Sequence, residues 1–179
     1  GNSGRDFILG GDDDDVIEGN RGADEIDGGR NTDVIQGNSG DDDITGGRGN
    51  DVIEGNDGED EIYGEEGRDW IAGNDDDDFL FGNEDRDRIK GGSGSDNIAG
   101  GSSDDRLWGG KNGDDIIGGK GDDYIHGGSG SDDIKGGSGE DILRGSSGAD
   151  DFDCGSGDDE ILDYDEDEGD DKEDDCEDF

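Results

Sequence analysis

The chain has 179 residues, of which 58 are acidic and 14 basic, so its formal net charge is −44. Only 22% of the residues are hydrophobic, and proline and methionine are absent. This charge argues against nucleic acid and anionic membranes as partners, and no apolar run is long enough to span a bilayer. Composition alone would class the chain as disordered, because it combines little apolar surface with much like charge.

A nonapeptide repeat overturns that classification. Residues 118–144 read GGKGDDYIH, GGSGSDDIK and GGSGEDILR without interruption. The same frame extends in steps of nine from Gly1 to Leu162, which gives eighteen consecutive repeats. A repeat this short indicates a solenoid, in which each unit buries its apolar residue against its neighbours. The nine positions of each repeat are called places one to nine below.

The first half of each repeat predicts a tight turn. Place one is Gly in seventeen repeats, with Cys154 as the exception, and place four is Gly in twelve. Place two is Gly in ten repeats and Asn in six. Because Gly, Asn and Asp tolerate a positive φ, we expect left-handed backbone throughout this turn, with Glu65 and Ser103 as strained exceptions.

The last three residues of each repeat predict a strand. Place eight is Ile in fourteen repeats and Leu or Phe in the others, and places seven and nine are mostly polar or mixed. This alternation favours a three-residue strand with one inward side chain. Val16, Val34 and Val52 recur at place seven of even-numbered repeats, whereas odd-numbered repeats carry residues such as Glu25 and Asp43 there. The sequence therefore predicts an all-β fold of about nine 18-residue coils with two separate parallel sheets.

Aspartate at place six is the candidate metal ligand. It occurs in all eighteen repeats, as Asp6, Asp15, Asp24, Asp33, Asp42, Asp51, Asp60, Asp69, Asp78, Asp87, Asp96, Asp105, Asp114, Asp123, Asp132, Asp141, Asp150 and Asp159. Turns on one edge recur in every second repeat, so these carboxylates stack about 5 Å apart and repel by roughly 3 kcal/mol per pair at an effective dielectric near 20. A hard cation with oxygen ligands relieves that repulsion, and Ca²⁺ tolerates irregular geometry better than Mg²⁺. One ion between each two adjacent turns of an edge gives about 16 Ca²⁺ ions. The alternative is that these aspartates only cap turns on a solvated acidic face.

The pattern G-G-x-G-x-D-x-U-x resembles the RTX, or haemolysin-type, calcium-binding repeats. The resemblance covers all eighteen repeats; the Asp, Asn and Ser residues at place four and Cys154 depart from it. It implies a right-handed parallel β-roll with Ca²⁺ held in the turns between successive coils. It also implies that the place-six aspartates supply carboxylate oxygens and that turn carbonyls supply the remaining ligands.

Residues 1–162 are thus predicted to form one calcium-binding roll, and residues 163–179 an acidic tail or cap. Twelve of the seventeen tail residues are acidic. A disordered solubilising tail is one alternative, and a cap held over the last coil by a Cys154–Cys176 disulfide is the other. Two cysteines alone are weak evidence for an oxidising exterior.

Two surface clusters are predicted from the coil register. Arg88, Lys90, Arg106 and Arg144 fall on the sheet of even-numbered repeats, where they either receive acidic residues of the tail or dilute the negative charge. Tyr63, Phe79 and Phe81 fall together on the other sheet, as a contact surface or as an internal cross-strand stack. No catalytic constellation is visible around the single His126, so no enzymatic activity is expected.

The sequence favours an extracellular, secreted or cell-surface calcium-binding structural module that folds on binding Ca²⁺ and associates with itself, end to end or laterally, into fibres or matrix. A second interpretation is the calcium-dependent C-terminal module of a type I-secreted enzyme or toxin. A third is an ice-binding or adhesin solenoid, although the outward threonines that ice binding needs are reduced here to Thr32 and Thr45.

Overall fold

The computed structural model describes residues 1–164, 169–173 and 176–178. These residues form two parallel ten-stranded sheets and no helix. The first sheet contains β1 (Phe7–Gly11), β3 (Glu25–Arg30), β5 (Asp43–Arg48), β7 (Glu61–Glu66), β9 (Phe79–Glu84), β11 (Asn97–Ser102), β13 (Asp115–Lys120), β15 (Asp133–Ser138), β17 (Asp151–Ser156) and β19 (Asp171–Lys172). The second sheet contains β2 (Val16–Arg21), β4 (Val34–Ser39), β6 (Val52–Asp57), β8 (Trp70–Asp75), β10 (Arg88–Ser93), β12 (Arg106–Lys111), β14 (Tyr124–Ser129), β16 (Ile142–Ser147), β18 (Glu160–Ile161) and β20 (Glu177–Asp178). We call them the odd and the even sheet.

Each strand pairs with the strand two places along the chain, so paired residues from β1 to β18 are two repeats apart. Ile35 of β4 lies beside Ile53 of β6, and Ile26 of β3 lies beside Ile44 of β5. One coil is therefore a strand of each sheet and two turns. The chain is a β-solenoid of about nine coils, and the predicted fold class is confirmed.

The core consists of the place-eight side chains of both sheets. They form one continuous cluster from Ile17 to Ile161, in which nearly every member is fully buried. Their neighbours at place seven point outward, because successive side chains of a strand face opposite sides of the sheet. Val16, Trp70 and Phe79 are exposed members of these outer columns.

The predicted strand length is wrong. Most strands have six residues, from place seven of one repeat to place three of the next, and both place eight and place one point inward and are buried. The place-one glycines thus belong to the strand rather than to the turn. Among the described residues they do not have positive φ; positive φ is concentrated at places two and four. Glu65 and Ser103 have φ of 78° and 91°, as expected for strained exceptions, and Ser146 joins them at 87°.

The C-terminal residues add part of a further coil. Strand β19 pairs with β17, and β20 pairs with β18. A disulfide joins Cys176 to Cys154, whose side chain replaces a place-one glycine and is fully buried. Tyr164 packs against Phe152 and carries the ammonium of Lys172 over its ring, 4.8 Å from the centroid. In the part of the chain that the structure describes, no helix is long and apolar enough to cross a membrane.

Candidate calcium-binding turns

The place-six aspartates lie where each turn enters the following strand. Sixteen of them are buried, and Asp6 and Asp15 of the first coil are half-buried. As predicted, members two repeats apart lie together, in one row along each edge of the solenoid. Buried carboxylates are rare unless they are paired or bound to a metal, so the two rows require a physical explanation.

One carboxylate oxygen of each buried aspartate links two coils. The backbone N–H of Asp33 donates to Asp51 Oδ1 at 2.8 Å, and the N–H of Asp51 donates to Asp69 Oδ1 at the same distance. The same bond repeats along the other edge, for example from Asp78 to Asp96 Oδ1 at 3.0 Å. The N–H always belongs to the earlier coil, and the acceptor belongs to the coil that follows.

The second carboxylate oxygen of most of these aspartates is buried and has no hydrogen-bond partner among the described residues. This holds for Oδ2 of fifteen place-six aspartates, namely Asp24, Asp33, Asp42, Asp51, Asp60, Asp69, Asp78, Asp87, Asp96, Asp105, Asp114, Asp123, Asp132, Asp141 and Asp159. A buried acceptor without a donor costs about 1–3 kcal/mol, and more if it is charged. Because the same oxygen lacks a donor in so many repeats, it indicates an oxygen that faces a ligand rather than a packing defect.

The place-one glycines explain how the orphaned oxygens are accommodated. A Cβ atom on Gly28 would lie 2.7 Å from Asp33 Oδ2 and 2.7 Å from the carbonyl oxygen of Gly46 in the next coil. Both oxygens therefore face space that any side chain at this place would fill. Place two differs, because its glycines have positive φ and meet no carboxylate. A Cβ on Gly29 would clash with the carbonyl oxygen of Gly11, whereas Gly11 of the first coil has a φ of +119° and nothing within 4 Å.

Burial also raises the pKa of the thirteen place-six carboxyl groups from Asp33 to Asp141. Desolvation raises the pKa of Asp60 to about 7 and the pKa of Asp78 and Asp87 to about 8. The N–H from the preceding coil lowers each pKa, but neighbouring carboxylates of the same row raise it further. Ionised aspartates in these rows are therefore unfavourable without positive charge beside them.

The residues around the orphaned oxygens fit Ca²⁺ better than a metal ion that needs three or more side-chain ligands. Among the described residues, no group of three or more His, Cys, Asp or Glu side chains converges on one point. A ligand set must then combine carboxylates with backbone carbonyls, as oxygen-seeking Ca²⁺ commonly does. The place-six aspartates would hold the ion, together with backbone carbonyl oxygens. Their ligand roles stay a prediction.

Asp170 occupies an equivalent position that the repeat pattern does not reveal. The N–H of Asp150 donates to Asp170 Oδ1 at 3.0 Å, in the same geometry as the bonds between place-six aspartates. The two residues are further apart in sequence than two repeats, and no glycine pair precedes Asp170. The sequence signal is the Gly169–Asp170–Asp171 triplet ahead of a residue that pairs with Phe152.

The structure also locates residues of the predicted aromatic and basic surface clusters. Tyr63 and Phe81 stack with centroids 4.8 Å apart and planes 9° apart, as an internal pair within the odd sheet. Arg144 lies near the C-terminal end of the even sheet and pairs with Asp163 at 3.0 Å, so one tail carboxylate does reach the predicted basic cluster. His126 Nε2 lies 2.7 Å from Ser146 Oγ.

Comparison with known families agrees with this geometry. The model of the RTX calcium-binding nonapeptide repeat, which spans four copies, matches residues 1–35, 36–71, 54–89, 63–98, 90–125, 108–143 and 126–161. No curated protein matches the chain. The matched segments extend over nearly the whole solenoid, and the place-six aspartates fall within them. The chain therefore belongs to the family of RTX calcium-binding nonapeptide repeats, and it is a calcium-binding structural repeat.

Proposed function

We propose that Ca²⁺ binding switches this chain from an unfolded to a folded state. The observation that carries the proposal is the double row of buried aspartates, fifteen of which have an Oδ2 atom without a hydrogen-bond partner among the described residues. The apolar core is one side chain wide per strand, and the carboxylate rows repel each other. Cations between the coils remove that repulsion and add bonds that the unfolded chain cannot make, which stabilises the folded state by linkage.

The ions are held between successive turns of one edge, by the place-six aspartates and neighbouring carbonyl oxygens. One ion for each two adjacent same-edge turns gives about 16 ions. That number would bring about 32 positive charges to a chain with net charge −44. The folded state therefore keeps a net negative charge, which favours solubility.

We place this module outside the cell. Extracellular calcium modules bind with Kd of about 10⁻⁴–10⁻³ M, and such sites fill in an exterior medium but stay empty at cytosolic calcium levels. A buried disulfide between Cys154 and Cys176 suits the same oxidising surroundings. The chain would then remain unfolded until it reaches the exterior.

Calcium titration of the dialysed chain tests the proposal. Far-UV circular dichroism at neutral pH should change from disordered to β-type at about millimolar Ca²⁺, steeply because many sites fill together. Calorimetry should count about 16 ions, and equal Mg²⁺ should be much less effective because it demands a smaller octahedral site. A fully β-type spectrum in excess chelator at neutral pH would refute the switch.

Self-association is a second candidate role, favoured by the first coil. Within the described residues β1 pairs only with β3, and Phe7, Leu9 and Val16 around that edge are exposed. A further coil fits there, from another copy or from a longer chain of a secreted enzyme or toxin. If copies stack, light scattering at millimolar Ca²⁺ should show a particle mass that increases with protein concentration. A monodisperse monomer would contradict stacking and favour the interpretation as a module of a longer chain.

A further inference from the structure

A groove of about 950 Å³ crosses the outer face of the even sheet at its turn edge. Its size is that of a small-molecule site. Four arginines contribute to its wall: Arg68 and Arg86 precede β8 and β10, and Arg88 and Arg106 begin β10 and β12. Their charges face one concavity in a chain whose net charge is −44.

Three of these guanidinium groups have no carboxylate partner among the described residues. No ion pair within 4.0 Å joins Arg68, Arg88 or Arg106 to any of them. Arg88 and Arg106 lie directly opposite each other on neighbouring strands, an arrangement that destabilises a sheet when the charges are alike. The groove therefore presents three guanidinium groups that form no ion pair with the described carboxylates, although seven acidic residues also line it.

A second pair of opposed arginines shows that cross-strand arginines elsewhere in the molecule do have carboxylate partners. Arg30 and Arg48 are also cross-strand neighbours, on β3 and β5. Arg30 pairs with Asp12 at 3.3 Å, and Arg48 pairs with Glu66 at 3.1 Å. Where two arginines meet on the odd sheet, carboxylates thus neutralise both. In the groove, the described carboxylates do not.

The seven acidic residues that line the groove fall into two groups. Four are buried place-six aspartates, and the other three, Asp104, Asp122 and Glu140, belong to the turns. Asp104 pairs with Arg86 and also accepts the N–H of Asp122. Asp122 in turn accepts the N–H of Glu140 at 2.9 Å. These bonds leave the guanidinium groups of Arg88 and Arg106 available to a ligand.

Aromatic rings complete the groove. Trp70, Trp108 and Tyr124 lie along it, with the rings of Trp108 and Tyr124 tilted at 52° and 6.3 Å apart. Trp70 keeps 37% of its surface exposed. Rings and guanidinium groups together suit a ligand with both charged and apolar parts.

We propose that this groove binds a small molecule that carries two or more phosphate or sulfate groups. Guanidinium forks match such oxyanions with two parallel hydrogen bonds each. The arginines belong to three successive coils, about 4.8 Å apart, so a single small anion cannot reach all of them. The body of the ligand packs against the rings. The groove borders one calcium row, because the place-six aspartates Asp69, Asp87, Asp105 and Asp123 also line it. The proposal therefore rests on the proposed function in one respect: Ca²⁺ in the adjacent turns neutralises these four carboxylates.

Tryptophan fluorescence tests the proposal, because Trp70 and Trp108 are the only tryptophans of the chain and both lie in the groove. The full chain is titrated with sucrose octasulfate at fixed millimolar free Ca²⁺, with its folded spectrum verified first. Sulfate esters are used because phosphates sequester Ca²⁺. Sucrose and inorganic sulfate are titrated in parallel.

We expect a saturable fluorescence change with sucrose octasulfate and none with sucrose. The double variant Arg88→Gln/Arg106→Gln should bind at least about tenfold more weakly, because it loses two charge-assisted contacts. The matched variant Arg30→Gln/Arg48→Gln should bind as the original chain does. Trp70→Leu, read through Trp108, should bind more weakly while keeping the folded spectrum.

Four outcomes would overturn the proposal, and the first three concern ligand binding. The first is an unsaturable change, or none, in the folded chain. The second is equal weakening by the two double-arginine variants, which would indicate general charge attraction. The third is inorganic sulfate binding as tightly as the octasulfate, which would indicate an adventitious ion only. Self-association that vanishes in Arg88→Gln/Arg106→Gln without any anion binding would likewise assign the groove to a second copy of the chain.

Discussion

A buried place-six aspartate such as Asp78 has opposite effects in the presence and in the absence of calcium. Its Oδ1 joins two coils, which stabilises the fold, and its Oδ2 is buried without a donor among the described residues, which destabilises the fold until a cation is present. A single substitution can separate these contributions.

We predict that Asp78→Asn shifts stability in opposite directions with and without Ca²⁺. With saturating Ca²⁺ it loses a charged ligand, worth about 1.5–3 kcal/mol, so the melting temperature should fall by several degrees. Without Ca²⁺ it removes a buried charge whose pKa is raised to about 8, so the free energy that opposes folding becomes smaller. Thermal melts by circular dichroism measure both. The exposed Asp75→Asn is the control; a fall of stability in both states would contradict the prediction.

We predict that Gly28→Ala impairs calcium binding through contact rather than through backbone strain. The added Cβ meets Asp33 Oδ2 and the Gly46 carbonyl, both 2.7 Å away. Gly11→Ala places a Cβ in open space at a φ of +119°, so it carries strain without touching a carboxylate. The Ca²⁺ midpoint should rise more in Gly28→Ala than in Gly11→Ala, as measured by titration. Equal Ca²⁺ midpoints in the two variants would mean that Gly28 is needed only for its backbone conformation.

At the scale of strands and turns, periodicity predicted most of the architecture. It gave the two-repeat coil, the two parallel sheets, the inward row from Ile17 to Ile161 and the stacking of aspartates. It missed the length of the strands, because a glycine required for space and a glycine required for positive φ look the same in a sequence. Gly28 is of the first kind and Gly11 of the second. It also missed Asp170, since the longer spacing from Asp150 breaks the period.

We predict that the disulfide stabilises the C-terminal coils only. A solenoid transmits stability chiefly between neighbouring repeats, and closing a loop of about 20 residues contributes roughly 3 kcal/mol. In Cys154→Ser/Cys176→Ser, amides of β17 and β18 should exchange hydrogen faster while those of β3 to β6 stay unchanged. Mass spectrometry of exchanged peptides resolves the two regions. Uniform acceleration along the chain would show that the bond acts globally.

For the whole molecule, pH and calcium are linked through the aspartate rows. Burial raises the pKa of Asp60, Asp78 and Asp87 to between about 7 and about 8 in the fold, against about 3.9 in an unfolded chain. Without Ca²⁺, the stability associated with these groups is fully present below about pH 4 and is lost as the pH rises through about 8. With Ca²⁺ the ionised forms are the ligands, so protons compete with the ion.

We therefore predict opposite pH dependences in the two states. The calcium-free chain should gain β structure as the pH falls from 9 to 5, whereas the calcium-loaded chain should need more Ca²⁺ at pH 5 than at pH 8. Circular dichroism over that range, at zero and at fixed Ca²⁺, measures both slopes. Slopes of the same sign would show that the rows do not titrate as described.

The carboxylate bonds between coils have one direction, and this gives the molecule a polarity of assembly. The N–H of each place-six aspartate from Asp6 to Asp150 donates to a carboxylate of the following coil, from Asp6 and Asp24 to Asp150 and Asp170. When calcium folds the chain, the place-six amide of a coil is therefore satisfied only once the coil after it is ordered. Order should consolidate backwards, from each coil to the one before it.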